Sequence, residues 1–302
     1  MTKISVVINT LNEEANLPNA VKSIRDLADE IIVVDMHSSD NTVEIAKKNG
    51  AKVYQFAKVG YVEPARNFAI EKATGDWVLI LDADEEVPEK LSFTLKTLSQ
   101  EEGVDHYTVP RQNIIFGKWI KHSKWWPDYN IRFFRRKKVR WSSKIHQPPL
   151  TYGVGKDLPA KKSYAIIHHN YQSIDQYITR LNRYTSIQAN ALASDGYKFI
   201  WTDLIQKPTQ EFLSRFFAAQ GFKDGLHGLV LAILQAISEF VTYLKVWQSE
   251  QFANQQISIN EINIQLNKSH NQLKWWSDEV RTKDLPFFIK IPTIIKRKIF
   301  YR

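Results

Sequence analysis

The stretch WVLILDADEE, residues 77–86, runs five apolar residues straight into four carboxylates held within five positions. Its apolar half has the length and composition of a fully buried strand. Read with the residues before it, this stretch decides the fold, because it is the last of a regular series. Ile4–Ile8 (ISVVI) predicts a strand, and Glu13–Arg25 has helical spacing through Leu17, Ala20, Val21 and Ile24. Ile31–Asp35 is a second strand, and Asp40–Lys48 a second helix with Ser39 or Asp40 as its N-cap and Gly50 at its end. Lys52–Phe56 is a third strand, Glu63–Ala73 a third helix closed by Gly75, and Asp76–Leu81 the fourth strand.

Strands alternating with helices predict an α/β fold with a mostly parallel sheet flanked by helices. Such sheets bind ligands beyond the carboxyl ends of their strands. That points to Asn9–Asn12, Asp35–Ser39 and Asp82–Glu85, each polar and each following a strand. After Pro88 the pattern loosens. Tyr107–Pro110 reads as a strand, and Lys118–Trp141 as antiparallel strands and loops. From Ser173 to about Ser249 the reading is mainly helical, and His168 and His169 are read as the start of that segment. For these two histidines a structural role is favoured over ligation. The expected division is an α/β domain over 1–150 and a mainly helical region over 151–302.

The formal charge of +9 is unevenly spread: the first hundred residues carry more acids than bases, whereas Arg135–Lys144 and Lys290–Arg302 are strongly basic. A basic surface suggests an anionic partner. The chain has no cysteine, which excludes disulfides and thiolate zinc sites and fits a reducing compartment. The first residues do not read as a signal peptide. The longest apolar run, Gly228–Ile237, is short of the ~18 residues a spanning helix needs. A cytoplasmic protein is expected. The stretch Phe212–Trp247 fits core packing, dimerisation or interfacial binding about equally. The basic, aromatic tail Asp284–Arg302 tips the reading towards peripheral contact with the inner face of a membrane.

Asp82 and Asp84 would lie roughly 6.6 Å apart in an extended chain, at ~3.3 Å per residue. Two such charges repel unless a cation lies near them. Mg²⁺ or Mn²⁺ suits the pair, with substrate phosphates completing the shell. An acidic turn that caps the next helix is the plainer reading of any isolated D-x-D, and the place after a buried strand weighs against it. The loop after the first strand, NTLNEE, has no glycine. A dinucleotide-binding Rossmann domain therefore lacks its phosphate cradle here.

The segments VVINTLNEE, IIVVDMHSSDNT and ARNFAIEKATGDWVLILDADE together resemble the nucleotide-binding half of family 2 glycosyltransferases, which have the GT-A fold. Within them the chain is similar to bacterial lipopolysaccharide core β-1,4-glucosyltransferases. The likeness is close over residues 3 to 90, and WWPDYNIRFFRR with IHQPP extends it to about 150.

The resemblance implies a nucleotide-diphosphate sugar donor, a UDP-sugar before others, and inverting transfer of a hexose to a cell-envelope glycan or glycolipid. By position, Thr10, Asn12 and Glu13 would line the nucleoside pocket and Asp35 would contact the base. Arg66 and Asn67 would lie beside the diphosphate. Asp82 would face ribose or metal, and Asp84 would ligate the metal directly.

Inversion needs a general base opposite the leaving group. Where the family often has His-Glu this chain has His146-Gln147, and glutamine cannot take the proton. The candidates are Asp128, His146 and Glu85; His146 could instead be a further metal ligand, and Glu85 could simply begin a helix. Trp125, Trp126 and Trp141 are read as partly core, with an acceptor-stacking role open to one. Arg132, Arg135 and Arg136 are read half as a solvated strand face and half as a phosphate contact. A nucleotidyltransferase is the alternative enzyme class, but its Gly-rich basic loop is missing. A nucleic-acid-binding protein is the non-enzymatic alternative, and acidic strand ends count against it. A homo-oligomer is left open.

Overall fold

The computed structural model of the chain describes residues 2–57, 63–141 and 148–283. His146 and the tail Asp284–Arg302 lie outside the described residues. The chain divides into two compact units, Met1–Ile115 with Trp126–Asn170, and Phe116–Trp125 with Tyr171–Arg302. The division does not fall at residue 150: strand-forming sequence continues to 171, and a ten-residue excursion belongs with the helices.

The first unit opens as β1 (Ile4–Thr10), α1 (Leu17–Ser23), β2 (Glu30–Asp35), α2 (Thr42–Lys48), β3 (Lys52–Gln55), α3 (Glu63–Lys72) and β4 (Trp77–Asp82). It continues through β5 (Glu85–Glu86), α4 (Glu89–Leu98), β6 (His106–Ile115), β7 (Asp128–Arg135) and β8 (Ile166–Tyr171). The sheet order is β3-β2-β1-β4-β7-β6-β8-β5. The first four strands are parallel, and β7 joins β4 and β6 antiparallel. Every residue of β1 is buried, which fits a central strand covered on both faces.

Alternation along the strands sorts the core in two. Ile4, Val6, Ile8, Trp77, Leu79 and Leu81 pack with Leu17, Val21 and Leu91 of α1 and α4. Val7, Val78, Ile80, Ile32 and Val34 pack instead with Ala65, Ala69 and Ile70 of α3. On the first face Trp77 stacks on Phe133 of β7, with ring centroids 4.5 Å apart.

Several boundaries differ from expectation for local reasons. α1 begins at Leu17, because Glu13–Asn16 close a turn in which the Asn16 and Leu17 N–H groups donate to the Glu13 carbonyl. α2 begins at Thr42, whose N–H donates to the Asp40 side chain. Gly50, at φ +80°, ends α2 as expected. Gly75 has a different role: a Cβ there would lie 2.8 Å from the backbone nitrogen of Ser5. Its place therefore requires close approach to β1, rather than a left-handed cap. His168 and His169 lie on β8, and the helix they were expected to open begins at Ile174 after its N-cap Ser173.

The second unit holds α5 (Ile174–Ser194), α6 (Asp203–Leu213), α7 (Leu226–Ser249) and α8 (Ile259–Lys283). α7 buries Leu231, Ala232, Tyr243 and Val246 and packs on α5 and α6. Its other side exposes Leu226, Ile233, Ile237 and Phe240. Continued through Ser238 and Thr242, the helix is long and apolar enough to cross a membrane by length and composition, beyond what the uninterrupted apolar run suggests. Within this unit the Asp224 carboxylate accepts hydrogen bonds from the Lys121 and His122 N–H groups, at 3.1 and 2.8 Å. These bonds fasten the excursion to the helices.

Candidate active site

The carboxyl ends of β1, β2 and β4 lie side by side, with Thr10 level with Asp35 and Asn9 level with Asp82. The loops after β1 and β2 are joined to each other. Asn12, at φ +59°, donates from its N–H to Ser38 Oγ and accepts on Oδ1 from the Ser39 N–H, both at 2.8 Å. The Glu13 N–H donates to Thr42 Oγ1. Asp35 is fully buried, and its carboxylate accepts from Thr10 Oγ1 at 3.1 Å, the Ser38 N–H at 3.0 Å and the Ser38 hydroxyl. In this arrangement Asp35 shapes the two loops.

Asp82 ends β4 between two arginines. Arg66 of α3 donates to Oδ1 at 2.9 Å, and Arg132 of β7 donates to Oδ2 at 2.6 Å. Burial pushes the Asp82 carboxyl up, but Arg132, Arg66 and Arg111 outweigh it and hold it well below the usual carboxylate range. Both oxygens thus face guanidinium groups, an unfavourable setting for a metal ligand. Arg132 also donates to Glu85 Oε1 at 2.7 Å. Burial lowers the Arg132 pKa, and its two carboxylate partners more than reverse that.

Glu85 is 0% exposed. It accepts from Arg132, from Arg111 at 3.3 Å and from the Asp82 N–H at 2.9 Å. Its expected role as the base meets a physical obstacle, since no face of the carboxylate reaches solvent. Arg111 bonds Asp128 as well, Nη2 to Oδ2 at 2.7 Å, because β6 and β7 set these two residues directly opposite each other. Asp128 accepts further bonds from Asn113 and Asn130, each at 3.0 Å. Burial raises its carboxyl, yet Arg111 and these amides bring it below its ordinary value.

Asn113 turns its other end to His168, Oδ1 lying 2.6 Å from Nδ1. The opposite ring nitrogen, Nε2, faces Asp84 Oδ2 at 3.6 Å, and the Asp84 carbonyl accepts from the His169 N–H at 2.9 Å. One polar chain therefore runs Arg66–Asp82–Arg132–Glu85–Arg111–Asp128–Asn113–His168–Asp84. Of the expected residues, it brings together Arg66, Asp82, Glu85, Asp128 and Asp84.

Asn67 stands apart from this chain. Its amide donates to the Trp141 carbonyl and accepts from the Trp141 N–H, both at 2.9 Å. Trp141 packs on Phe134, with the Arg66 guanidinium 5.9 Å from its ring. Arg135 and Arg136 serve the fold, donating to the carbonyls of Val104, Glu101 and Ala73.

Sequence reasoning missed Arg111 and Asn113, read His168 as structural rather than as a ligand, and undervalued Arg132. A signal existed: Arg111-x-Asn113 and Asp128-x-Asn130-x-Arg132 each repeat polar residues at a spacing of two, which places them on one face of a strand. Asn9 was missed too. It is buried, and neither its amide nitrogen nor its amide oxygen has a partner among the described residues.

An ion would find two donors here. Asn113 must turn its amide nitrogen to the Asp128 carboxylate, so its oxygen faces His168 and takes the Nδ1 proton. With Nε2 deprotonated, its lone pair and the Asp84 carboxylate oxygen make a pair better suited to Mn²⁺ than to the harder Mg²⁺. No group of three or more such ligands exists among the described residues.

The family model for glycosyl transferase family 2 matches residues 5–153. A glycosyltransferase of Rickettsia typhi is 33% identical over 255 residues, covering 82% of this chain and 87% of that protein. The lipopolysaccharide core biosynthesis glycosyltransferase LpsC of Rhizobium meliloti is 27% identical over 259 residues, 81% of this chain and 92% of that one. Among solved structures, TarS 1–349 of S. aureus with UDP is 15% identical, with a TM-score of 0.45 over 85% of this chain and 94% of that one. With the family model matched over residues 5–153, and a relative of one-third identity aligned along most of its length, this chain belongs to glycosyltransferase family 2.

Proposed function

We propose that this glycosyltransferase moves a hexose from a nucleotide-diphosphate donor to a hydroxyl of a cell-envelope glycan, with inversion and with Mg²⁺ or Mn²⁺. The observation that carries the reading is the facing pair of Asp84 Oδ2 and His168 Nε2 at the carboxyl edge of the sheet. Arg66, Arg111 and Arg132 are each already paired with a carboxylate. A diphosphate leaving group therefore needs positive charge from elsewhere, and a bound divalent ion would supply it as a Lewis acid. Asp84 and His168 would hold that ion, while Asp82, kept ionised by its arginines, would receive ribose or sugar hydroxyls.

Thr10, Asn12, Glu13 and Asp35 would form the nucleoside side through the joined loops. Asp128 is the favoured base over Glu85, because 27% of its side chain is exposed whereas Glu85 is sealed. His146 stays a candidate for base or further ligand from sequence alone. The donor nucleoside is read as uridine, and the acceptor as lipopolysaccharide core, a reading supported by the R. meliloti relative, whose name places it in lipopolysaccharide core biosynthesis.

The exposed face of α7 and the basic sequence 284–302 support peripheral attachment at the cytoplasmic face of the inner membrane, and a dimer through that face is the competing use. The sheet-bearing unit, residues 1–115 with 126–170, would carry catalysis, and the helical unit, 116–125 with 171–302, would be the region that meets membrane or partner.

The test is sugar transfer from a panel of nucleotide sugars with Mn²⁺, with and without EDTA. Asp84→Asn should lose at least a hundredfold in kcat with its fold retained, and EDTA should abolish transfer until metal is restored. Full activity in excess EDTA would remove the metal from the mechanism.

A further inference from the structure

Resting on the metal reading of Asp84 and His168, we infer that Asn113 is a positioning residue that orients the metal-ligating imidazole and the catalytic carboxylate through one amide plane. Its Nδ2 donates to Asp128 Oδ2 at 3.0 Å, and its Oδ1 lies 2.6 Å from His168 Nδ1. Asn170 Nδ2 adds a weaker donation to the same Oδ1 at 3.4 Å. All four residues are on neighbouring strands β6, β7 and β8, so the contacts are held by the sheet. Asn113 is fully buried, His168 nearly so.

The amide has only one orientation that serves both neighbours. A carboxylate accepts but does not donate, so the NH₂ group must face Asp128. The carbonyl oxygen must then face the ring, which carries its proton on Nδ1 and presents the Nε2 lone pair to Asp84. Flipping the amide would set an oxygen against a carboxylate and release the tautomer at the same moment. Metal-bound histidines commonly gain orientation from such a partner on the far nitrogen, and its loss typically weakens metal affinity ~10- to 100-fold. Here the same side chain also fixes the carboxylate proposed to take the acceptor proton. A single residue thus sets the relation between the two halves of the reaction.

Two substitutions separate the functions. Asn113→Asp keeps an acceptor for the His168 Nδ1 proton but replaces the amide donor to Asp128 with a second carboxyl oxygen. Asn113→Leu withdraws both. Mn²⁺ binding, followed by electron paramagnetic resonance of the free ion, is expected within about threefold of wild type for Asn113→Asp and at least ~10-fold weaker for Asn113→Leu. Both are expected to lose kcat well beyond any change in donor KM.

A third measurement needs no change at Asn113. In ¹⁵N-histidine-labelled metal-free protein, the His168 signal, assigned by its absence in His168→Asn, should report the Nδ1–H tautomer. Wild-type-like Mn²⁺ affinity in Asn113→Leu, equal loss in both variants, or an Nε2–H tautomer would each overturn the inference. If the wild-type chain transfers sugar but binds no Mn²⁺, the metal reading itself falls and the inference with it, a result distinct from any failure of the variants.

Discussion

The side-chain amide of Asn67 holds the backbone of Trp141 at two points, donating to its carbonyl and accepting from its N–H, each at 2.9 Å. This pairing joins α3 to the chain just past β7. Asn67→Ala should therefore lower unfolding free energy by about 1–3 kcal/mol, because two buried backbone groups lose their partner. Urea denaturation would measure it. A variant with unchanged stability but weakened donor binding would return Asn67 to the diphosphate, where the family resemblance puts it.

Arg132 is 3% exposed between Asp82 and Glu85. Arg132→Met should destabilise by about 3–5 kcal/mol, since it leaves the buried Glu85 carboxylate only the longer Arg111 contact and the Asp82 N–H. Adding Glu85→Met should recover much of that stability without recovering activity, because Asp82 still lacks its second guanidinium. A double variant less stable than the single would refute this account of the pair.

Glu30 gives a pH signature remote from the site. Burial pushes its carboxyl up, but hydrogen bonds from Lys52, Ser5 and Thr74 outweigh it and bring it down from 4.5 to about 2. A lowered folded-state value means the contribution is present above pH 4.5 and lost as pH falls towards 2. Wild type should lose more stability across that interval than Glu30→Gln. Parallel acid-denaturation curves would contradict the assignment.

Asn9 carries a buried amide with no partner among the described residues, level with Asp82 across β1 and β4. Asn9→Leu removes that unsatisfied group at similar volume. It should raise the thermal midpoint of the ligand-free chain, by an amount corresponding to about 1 kcal/mol. If the amide meets the donor, the same variant should also show a smaller thermal shift on adding nucleotide sugar. A lowered midpoint in the ligand-free protein would show that the amide is satisfied by ordered water.

The parallel half of the fold was legible because it is written in short-range terms. Short β-branched or apolar runs such as Ile31–Val34 and Trp77–Leu81 read as buried strands by length and flanking residues, and helical spacing between them leaves few alternatives. The acids at the strand ends were legible for the same reason. The arginines were not. Arg132 and Arg111 look like ordinary basic residues on a strand, and only the β6–β7 register brings Arg111 opposite Asp128. His168 was hidden further, since its neighbour Asp84 is 84 positions away in sequence and they meet through pairing of β8 with β5. Long-range register, not residue chemistry, separates the readable acids from their unreadable partners.

The loops after β1 and β2 are bound to each other through Asn12, Ser38, Ser39, Glu13 and Thr42 before any donor arrives. Their conformational entropy is thus already lost in folding, and a nucleoside docking against them, as proposed above, would not have to order them again. Association on this side should then behave like docking onto a rigid wall, with little heat-capacity change beyond that of the buried apolar area. Loosening the wall by Asn12→Gly would be felt as faster donor release rather than slower capture.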